Sequence, residues 1–323
     1  MLTRRSLLVA GALVPWGFAA RADDFPSGPV KIIVSFPAGG SIDVVMRAMA
    51  PPLQARLGKP VVIENRAGAG GVLAESAVAK AEPDGLTLLA DASALAANPT
   101  LFKSLPFDTL KDLQPVSLVF RTPLALVVNP ALPVHSVTEL IDLLKQKPGQ
   151  IDFGHGGPGS AIHLAAELFQ IMTGTTMTGI AYRGAPLALN DVMAGRVALM
   201  FADAGSVTGH INSGQVRALG VSSTERVPAL PDVPTIAEAG VPGFEAVGWT
   251  LVCAPAATPA PIIDTLGAAL AAAAAAPEVR GLMLQLGTLP VPSPSPAELH
   301  RWLESEIARW GKLVERAGVA KSL

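Results

Sequence analysis

The chain has 323 residues, half of them apolar and 15% charged, with 24 basic against 26 acidic side chains. So even a balance, with no basic run, excludes the electrostatic footprint of a nucleic-acid or anionic-membrane binder. The single cysteine, Cys253, excludes an internal disulfide framework and a cysteine-built zinc site, and at roughly 300 residues a chain divides its core between two domains.

The N-terminus has the layout of a secretory signal peptide over residues 1–22. Arg4 and Arg5 form a basic segment, Ser6 to Ala20 is apolar, and Ala20-Arg21-Ala22 offers a small-x-small cleavage site. The apolar run is shorter than the roughly 20 residues of a bilayer span, which weighs against an uncleaved anchor. Thr3-Arg4-Arg5-Ser6-Leu7-Leu8 also has the form of a twin-arginine signal, although paired arginines suit the general export route as well. Cleavage after Ala22 leaves 301 residues with 21 basic and 26 acidic side chains, a formal charge of −5. The alanine-rich stretch Ala268 to Ala276 is too short to span a bilayer, ends at Pro277, and reads as a surface or packing helix.

From Asp23 onward, strand-like and helix-like segments alternate. Val30 to Val34 is a β-branched run, Ile42 to Leu57 has helical spacing, and Pro60 to Glu64 reads as the next strand. Val72 to Lys80 follows as a helix and Thr87 to Ala90 as a strand. That order predicts a parallel sheet with helices on its faces. A second series has strands at Pro123 to Val128, Ile151 to Gly154, Gly179 to Tyr182, Ala198 to Phe201 and Val216 to Ser222. Its helices are Val137 to Lys145, Ser160 to Thr173 and Ala185 to Ala194. Trp249 to Ala254 resembles a strand returning to the first series, and Pro296 to Ala317 a terminal helix. Crossings near 121–126 and 247–252 divide the mature chain into one lobe over 23–123 and 248–323 and another over 124–247.

Ligands of open α/β sheets sit beyond the carboxyl ends of the strands. Two loops there run from a strand through glycines into a helix. The first is Ser35-Phe36-Pro37-Ala38-Gly39-Gly40-Ser41-Ile42-Asp43, the second Gly154-His155-Gly156-Gly157-Pro158-Gly159-Ser160-Ala161-Ile162-His163. Glycines admit close backbone approach, and a helix start presents unpaired N–H groups with partial positive charge. Two such ends facing across a cleft hold a carboxylate without any arginine. Neither loop carries the G-K-[ST] ending of a nucleotide-binding loop. Each has a plain structural alternative, with Ser41 and Ser160 as N-caps and Asp43 as a first-turn carboxylate that orients the loop.

These loops belong to a longer set of ordered motifs. They include Phe36-Pro37-Ala38-Gly39-Gly40-x-x-Asp43, Gly58 to Gly71, Pro83-Asp84-Gly85, Gly159-Ser160-x-x-His163, Tyr182-Arg183-Gly184, and Leu230 to Thr235. Over residues 27–320 the chain resembles the substrate-binding receptors of tripartite tricarboxylate transporters, the Bug-type or TctC-type proteins. The resemblance implies an α/β fold of two lobes with parallel-rich sheets and an intervening cleft, the type II-like periplasmic binding protein fold. It implies a monomeric periplasmic receptor, not an enzyme, that takes a small carboxylate and delivers it to membrane permease subunits, with no cofactor, no metal and no nucleic acid. It assigns ligand contact to Phe36, Ala38, Gly39, Gly40 and Asp43 in the first loop. In the second it assigns Gly157, Gly159 and Ser160, and matches His163 to a family histidine. Tyr182 and Gly184 border the cleft, and Asp203 is a further cleft candidate.

The chain departs from the family at three places. Met46 replaces an alanine, His155 to Pro158 replaces a serine-bearing turn, and Ala181 replaces a proline. The residues leave His155 open between a ligand donor and a solvent-facing side chain. Two other function classes compete. Ser160 and His163 share a helical face and, with Asp203, offer the residue types of a hydrolase triad, but there is no G-x-S-x-G elbow. A sensing co-receptor for a signalling system would use the same lobes and cleft.

Overall fold

The computed structural model describes residues 25–323, so the expected signal peptide lies outside the described residues. The chain opens with βα units: β1 (Val30–Val34), α1 (Ser41–Leu57), β2 (Val61–Asn65), α2 (Val72–Ala79), β3 (Thr87–Ala92) and α3 (Ala94–Leu101). A single turn, α4 (Thr109–Asp112), leads into β4 (Leu113–Thr122), which passes through Pro123 into β5 (Leu124–Val128). There follow α5 (Val137–Gln146), β6 (Asp152–His155), α6 (Ala161–Thr173), β7 (Thr178–Ala181), α7 (Ala185–Met193), β8 (Leu199–Asp203), α8 (Ala204–Asn212) and β9 (Arg217–Val221). The chain returns through β10 (Gly248–Pro255) and ends with α9 (Ala260–Ala274), α10 (Pro277–Gln285), β11 (Leu289–Pro290) and α11 (Pro296–Arg316).

These strands form two sheets, ordered β11-β4-β10-β3-β1-β2 and β7-β6-β8-β5-β9, each the centre of one α/β domain. Both sheets are mixed. β1 runs parallel to β2 and β3, and β6 parallel to β7 and β8. β10 runs antiparallel to β3 and β4, and β5 antiparallel to β8 and β9. Of the reversed strands, β5 and β10 follow the crossings and enter a sheet without a crossover helix of their own, and the two-residue β11 runs antiparallel to β4 at the sheet edge. The parallel crossovers leave β1, β2, β3 and β6 with their carboxyl ends toward the two glycine loops.

The expected strands and helices are present with ends shifted by a residue or two. Six elements lay outside the sequence expectation: α3, α4, β4, α8, α10 and β11. β4 contains Pro115, which argues against a central strand. Pro115 stands opposite Cys253 at a register irregularity, and β11 pairs only with Arg121 and Phe120, so the missing N–H costs no ladder bond. α3 and α8 are rich in small residues and have little amphipathic signal. α8 is held by buried Ala204 and Val207 and by Thr208 Oγ1 donating to the Ala204 carbonyl at 2.8 Å. The alanine-rich stretch belongs to α9, where Ala269, Leu270 and Ala273 are buried against the first sheet, and Met46 is fully buried in the same core. Among the described residues no single helix is long and apolar enough to cross a membrane.

The first domain packs α1, α9 and α10 on one face of its sheet and α2, α3 and α11 on the other. α11 begins at a full capping box formed by Ser295 and Glu298. It is fastened to β10 by Glu306, whose Oε2 accepts from Trp249 Nε1 at 2.7 Å and Trp310 Nε1 at 2.9 Å. Arg309 binds the other carboxylate oxygen at 3.1 Å. Glu306→Ala strands two buried indole N–H groups, each unmade bond costing roughly 1–3 kcal/mol. We expect a stability loss of about 2–4 kcal/mol, read from the chemical-denaturation midpoint, with Glu306→Gln much milder. An unchanged midpoint in the alanine variant would remove this contact from the account of first-domain stability.

Candidate functional site

The first loop leaves β1 at Ser35 and enters α1 at Gly40, its N-cap, with Pro37 to Gly40 exposed. Gly39 has φ 86° and sits beyond the hydrogen bonds of the strand. Its N–H donates to Asp43 Oδ2 at 2.9 Å. Asp43 Oδ1 receives Asn65 Nδ2 and Arg47 Nε, each at 2.9 Å. Asn65 Nδ2 also donates to the Phe36 carbonyl at 3.1 Å, tying both ends of the loop to the end of β2. Asp43 is only 3% exposed. Burial alone would raise its carboxyl, but Arg47, the Gly39 N–H and Asn65 outweigh burial and hold it below the ordinary carboxylate range. Asp43 therefore braces the loop from beneath, with its charge neutralised. Gly40 has no side chain to cap the helix, so the first-turn N–H groups of α1 face outward without a protein acceptor.

The second loop has the same plan with a different brace. Gly159, φ 74°, donates its N–H to His163 Nδ1 at 3.2 Å, and Gly157 donates to His155 Nδ1 at 3.3 Å. The two imidazoles stack, with centroids 4.4 Å apart, against Phe153. Both are buried, which settles the sequence alternative for His155: it lies under the loop, not at the solvent surface. An Nδ1 that accepts an N–H carries no proton, so each ring is in its Nε2–H tautomer. Burial, then the neighbouring His155, pushes the His163 pKa down to about 4, and burial lowers that of His155. Glu167 Oε1 lies 3.7 Å from His163 Nε2, and burial raises its carboxyl. Ser160 is the N-cap of α6. Its Oγ accepts from the His163 N–H at 3.3 Å and donates to the Gly157 carbonyl at 2.8 Å. That is capping geometry, and the Ser160 and His163 side chains do not form a nucleophile–base pair. The N–H groups of Gly157 and Gly159 are spent on the histidines, so the donors left at this loop are those of the first turn of α6, at Ala161 and Ile162.

The remaining sequence candidates are spread around these loops. Tyr182 takes the His155 carbonyl through its N–H at 2.9 Å, but its hydroxyl donates to Asp191 Oδ2 at 2.7 Å, which fixes it on α7. Gly184, φ 116°, is the N-cap of α7. Asp203 ends β8 and starts α8 without a side-chain capping bond, and burial raises its carboxyl. The two domains pack through Leu164 of α6 in the first-domain core, and they also meet at two glycines. A Cβ on Gly159 would lie 2.4 Å from Leu101 Cδ2 on α3, and one on Gly205 would lie 1.7 Å from the Leu286 carbonyl. Sequence reading missed Asn65 as a loop brace, Leu101 as the first domain's contact on the second loop, and Ser35, whose hydroxyl donates to buried Asp91 at 2.5 Å. An asparagine at a strand end before a glycine-rich turn was the available signal for the first.

A family model described as the tripartite tricarboxylate transporter family receptor matches residues 45–319. The chain is 40% identical over 321 residues to Protein BugT of Bordetella pertussis, an alignment covering 98% of each. The R. palustris protein Rpa4515, solved with adipate, matches with a TM-score of 0.82 at 36% identity, covering 92% of this chain and 99% of that one. The periplasmic binding protein BugD matches with a TM-score of 0.79 at 34% identity and the same coverage.

The neutral His163 makes the second loop sensitive to acid. Its pKa is about 4 in the folded chain against 6.5 when free, so the unfolded chain binds the extra proton between those values. The stabilisation is present above pH 6.5 and is lost as pH falls towards 4, by roughly 3 kcal/mol in all. His163→Asn keeps an acceptor for the Gly159 N–H but does not titrate, and should lose less stability than wild type over the same pH interval. Parallel pH–stability curves for the two proteins would dismiss this brace.

Proposed function

The chain belongs to the tripartite tricarboxylate transporter receptor family, and on that premise we propose that it captures a small carboxylate in the periplasm and delivers it to the membrane subunits of such a transporter. The observation that carries the reading is the pair of helix starts at Gly40 and Ser160. Each has its preceding glycine tied back by a buried side chain, Asp43 or His163. Each leaves first-turn N–H groups of α1 and α6 for an anion, where the helix dipole adds partial positive charge. The adipate bound to Rpa4515 supports a carboxylate ligand here.

In this reading, residues 23–123 and 248–323 move as one lobe and 124–247 as the other, about the two crossings. The ligand's carboxylate meets the N–H groups of Gly40, Ser41 and Ile42 on one side, beside the backbone of Ala38 and Gly39. Those of Ala161 and Ile162, beside Gly157, Gly159 and Ser160, meet it on the other. Phe36 flanks the first loop, while Gly184 and Asp203 border the rest of the ligand. Asp43, His155, His163 and Tyr182 act from behind by fixing the backbone. Closure brings the lobes together around the ligand, and the closed form is the one the membrane subunits recognise. Residues 1–22 direct export, and the receptor works as a monomer.

The test is a panel of small carboxylates and their amides in a thermal-shift assay. A carboxylate at a hundredfold excess over its Kd adds about 2.7 kcal/mol of stability, a Tm rise of several degrees, and its amide adds none. A folded, empty protein that responds to no carboxylate would defeat the proposal. Gly40→Val provides the second arm. Gly40 has an ordinary φ of −72° and the nearest atom to an added Cβ is 3.5 Å away, so the lobe accommodates the side chain. Affinity for the responding carboxylate should fall at least tenfold with the unliganded Tm unchanged. Unaltered affinity would place the site elsewhere.

A further inference from the structure

Beneath the first-domain loops lies a pair of acids that carboxylate capture does not use. Glu75, in the first turn of α2, and Asp91, in β3, are both fully buried. Their carboxyl groups are within hydrogen-bonding reach of each other. Asn98 Nδ2 donates to Glu75 Oε1 at 2.8 Å, and Ser35 Oγ and the Ala92 N–H donate to Asp91 Oδ1 at 2.5 and 2.7 Å. The other oxygens, Glu75 Oε2 and Asp91 Oδ2, receive no donor from any described neighbour. Gly71 closes over the pair: a Cβ there would lie 3.0 Å from Glu75 Oε1 and 3.4 Å from each Asp91 oxygen.

Two dehydrated carboxylates side by side cannot both be ionised without a large like-charge cost, and among the described residues no lysine or arginine is a partner of either. The groups facing them from β1 and α3, Ser35 and Asn98, are neutral. From β10 comes the buried Cys253 thiol, whose ionisation is opposed first by burial and then by the two acids. One proton shared by the two carboxyl groups would satisfy both orphaned oxygens at once. Burial, then the charge of Asp91, raises the Glu75 carboxyl to about 10, and burial raises that of Asp91.

We infer that Glu75 and Asp91 hold one proton between them and that this proton latches three segments of the first-domain cleft wall together. The first loop is tied through Ser35. The turn at 69–71 is tied through Gly71 and through Asn98, which also donates to the Gly70 carbonyl at 3.1 Å. α3, which carries Leu101 to Gly159, is tied through Asn98 and Asp91. The effect of the latch on ligand retention rests on the carboxylate-receptor reading, whereas the latch itself does not.

Opening the pair to water returns Glu75 to its ordinary value of 4.5, where the proton leaves at neutral pH. Rising pH therefore favours opening by about tenfold per pH unit from the ordinary carboxylate range up to about pH 10, and no further above it. The experiment is amide hydrogen exchange on the full chain, without ligand, at pH 7, 8 and 9. After correction for intrinsic base catalysis, protection in residues 35–43, 68–75 and 92–101 should fall about tenfold per pH unit, while residues 155–165 stay level. Glu75→Gln, which keeps a donor for Asp91 and does not titrate, should flatten the dependence. Level protection in the wild type, or the same slope in Glu75→Gln, would overturn the latch. Infrared spectroscopy of the wild type tests it without any variant. A protonated carboxyl C=O stretch that persists at pH 8 supports it, and absence of that band overturns it.

Discussion

Both loops depend on one contact: a glycine in the left-handed region gives its N–H to a side chain four residues on, in the first turn of the helix that follows. Gly39 donates to Asp43 and Gly159 to His163. In each case the acceptor stands three positions after the N-cap, where a side chain can reach back over the helix start. The contact removes the donor that would otherwise compete with the helix and sets the glycine's carbonyl and N–H directions. With the brace on the buried side, the next N–H groups are left on the outer side, unpaired. That is a useful state only because water or an anion can satisfy them, since a buried helix start without partners would be costly.

The two braces solve an electrostatic difficulty differently. Asp43 brings a full negative charge to a helix start where the dipole welcomes it, yet a bare carboxylate would repel an arriving anion. Arg47 and Asn65 absorb that charge within hydrogen-bonding distance, so the loop keeps the strong acceptor and hides the charge. His163 offers a neutral acceptor and needs no counter-charge, but it must stay unprotonated. The stacked His155 and Phe153, and the burial of all three rings, maintain that state by making the imidazolium expensive. The aspartate brace thus draws on charge pairing, and the histidine brace on exclusion of water.

Much of this was legible in the residues, because it rests on local rules. The β-branched runs, glycine-rich βα turns and serine at 160 specify their elements through short-range sterics and capping, and the strands β1, β2, β3 and β6 lie where patterning put them. The direction of β5 and β10 was not legible, since strand direction depends on which sheet the chain has just left. β4 was hidden by Pro115, whose harmlessness comes from a register irregularity on one side and a two-residue partner on the other. At the site, the glycines were identifiable by residue type. For Asp43 and His163 the residues left bracing and ligand contact both open, because a polar residue at a helix start looks the same from sequence whether it faces the cleft or the core. Asn65, Leu101 and Glu75 lie 22, 58 and 16 positions from Asp43, Gly159 and Asp91, and only the fold makes them neighbours.

The contact between domains extends the same logic to the cleft as a whole. Leu101 lies so close to Gly159 that a Cβ there would force its side chain to shift, and Gly205 meets the Leu286 carbonyl backbone to backbone. The backbone contact at Gly205 has no rotamer to adjust, so displacement of one wall is passed to the other with little loss there. Leu101 sits on α3, which Asn98 binds to Glu75 and to the Gly70 carbonyl. Gly159 in turn is the residue that His163 holds. The first-domain wall and the brace of the second loop therefore meet at Leu101, beside the packing of Leu164 and Ala161 of α6 on the first-domain core.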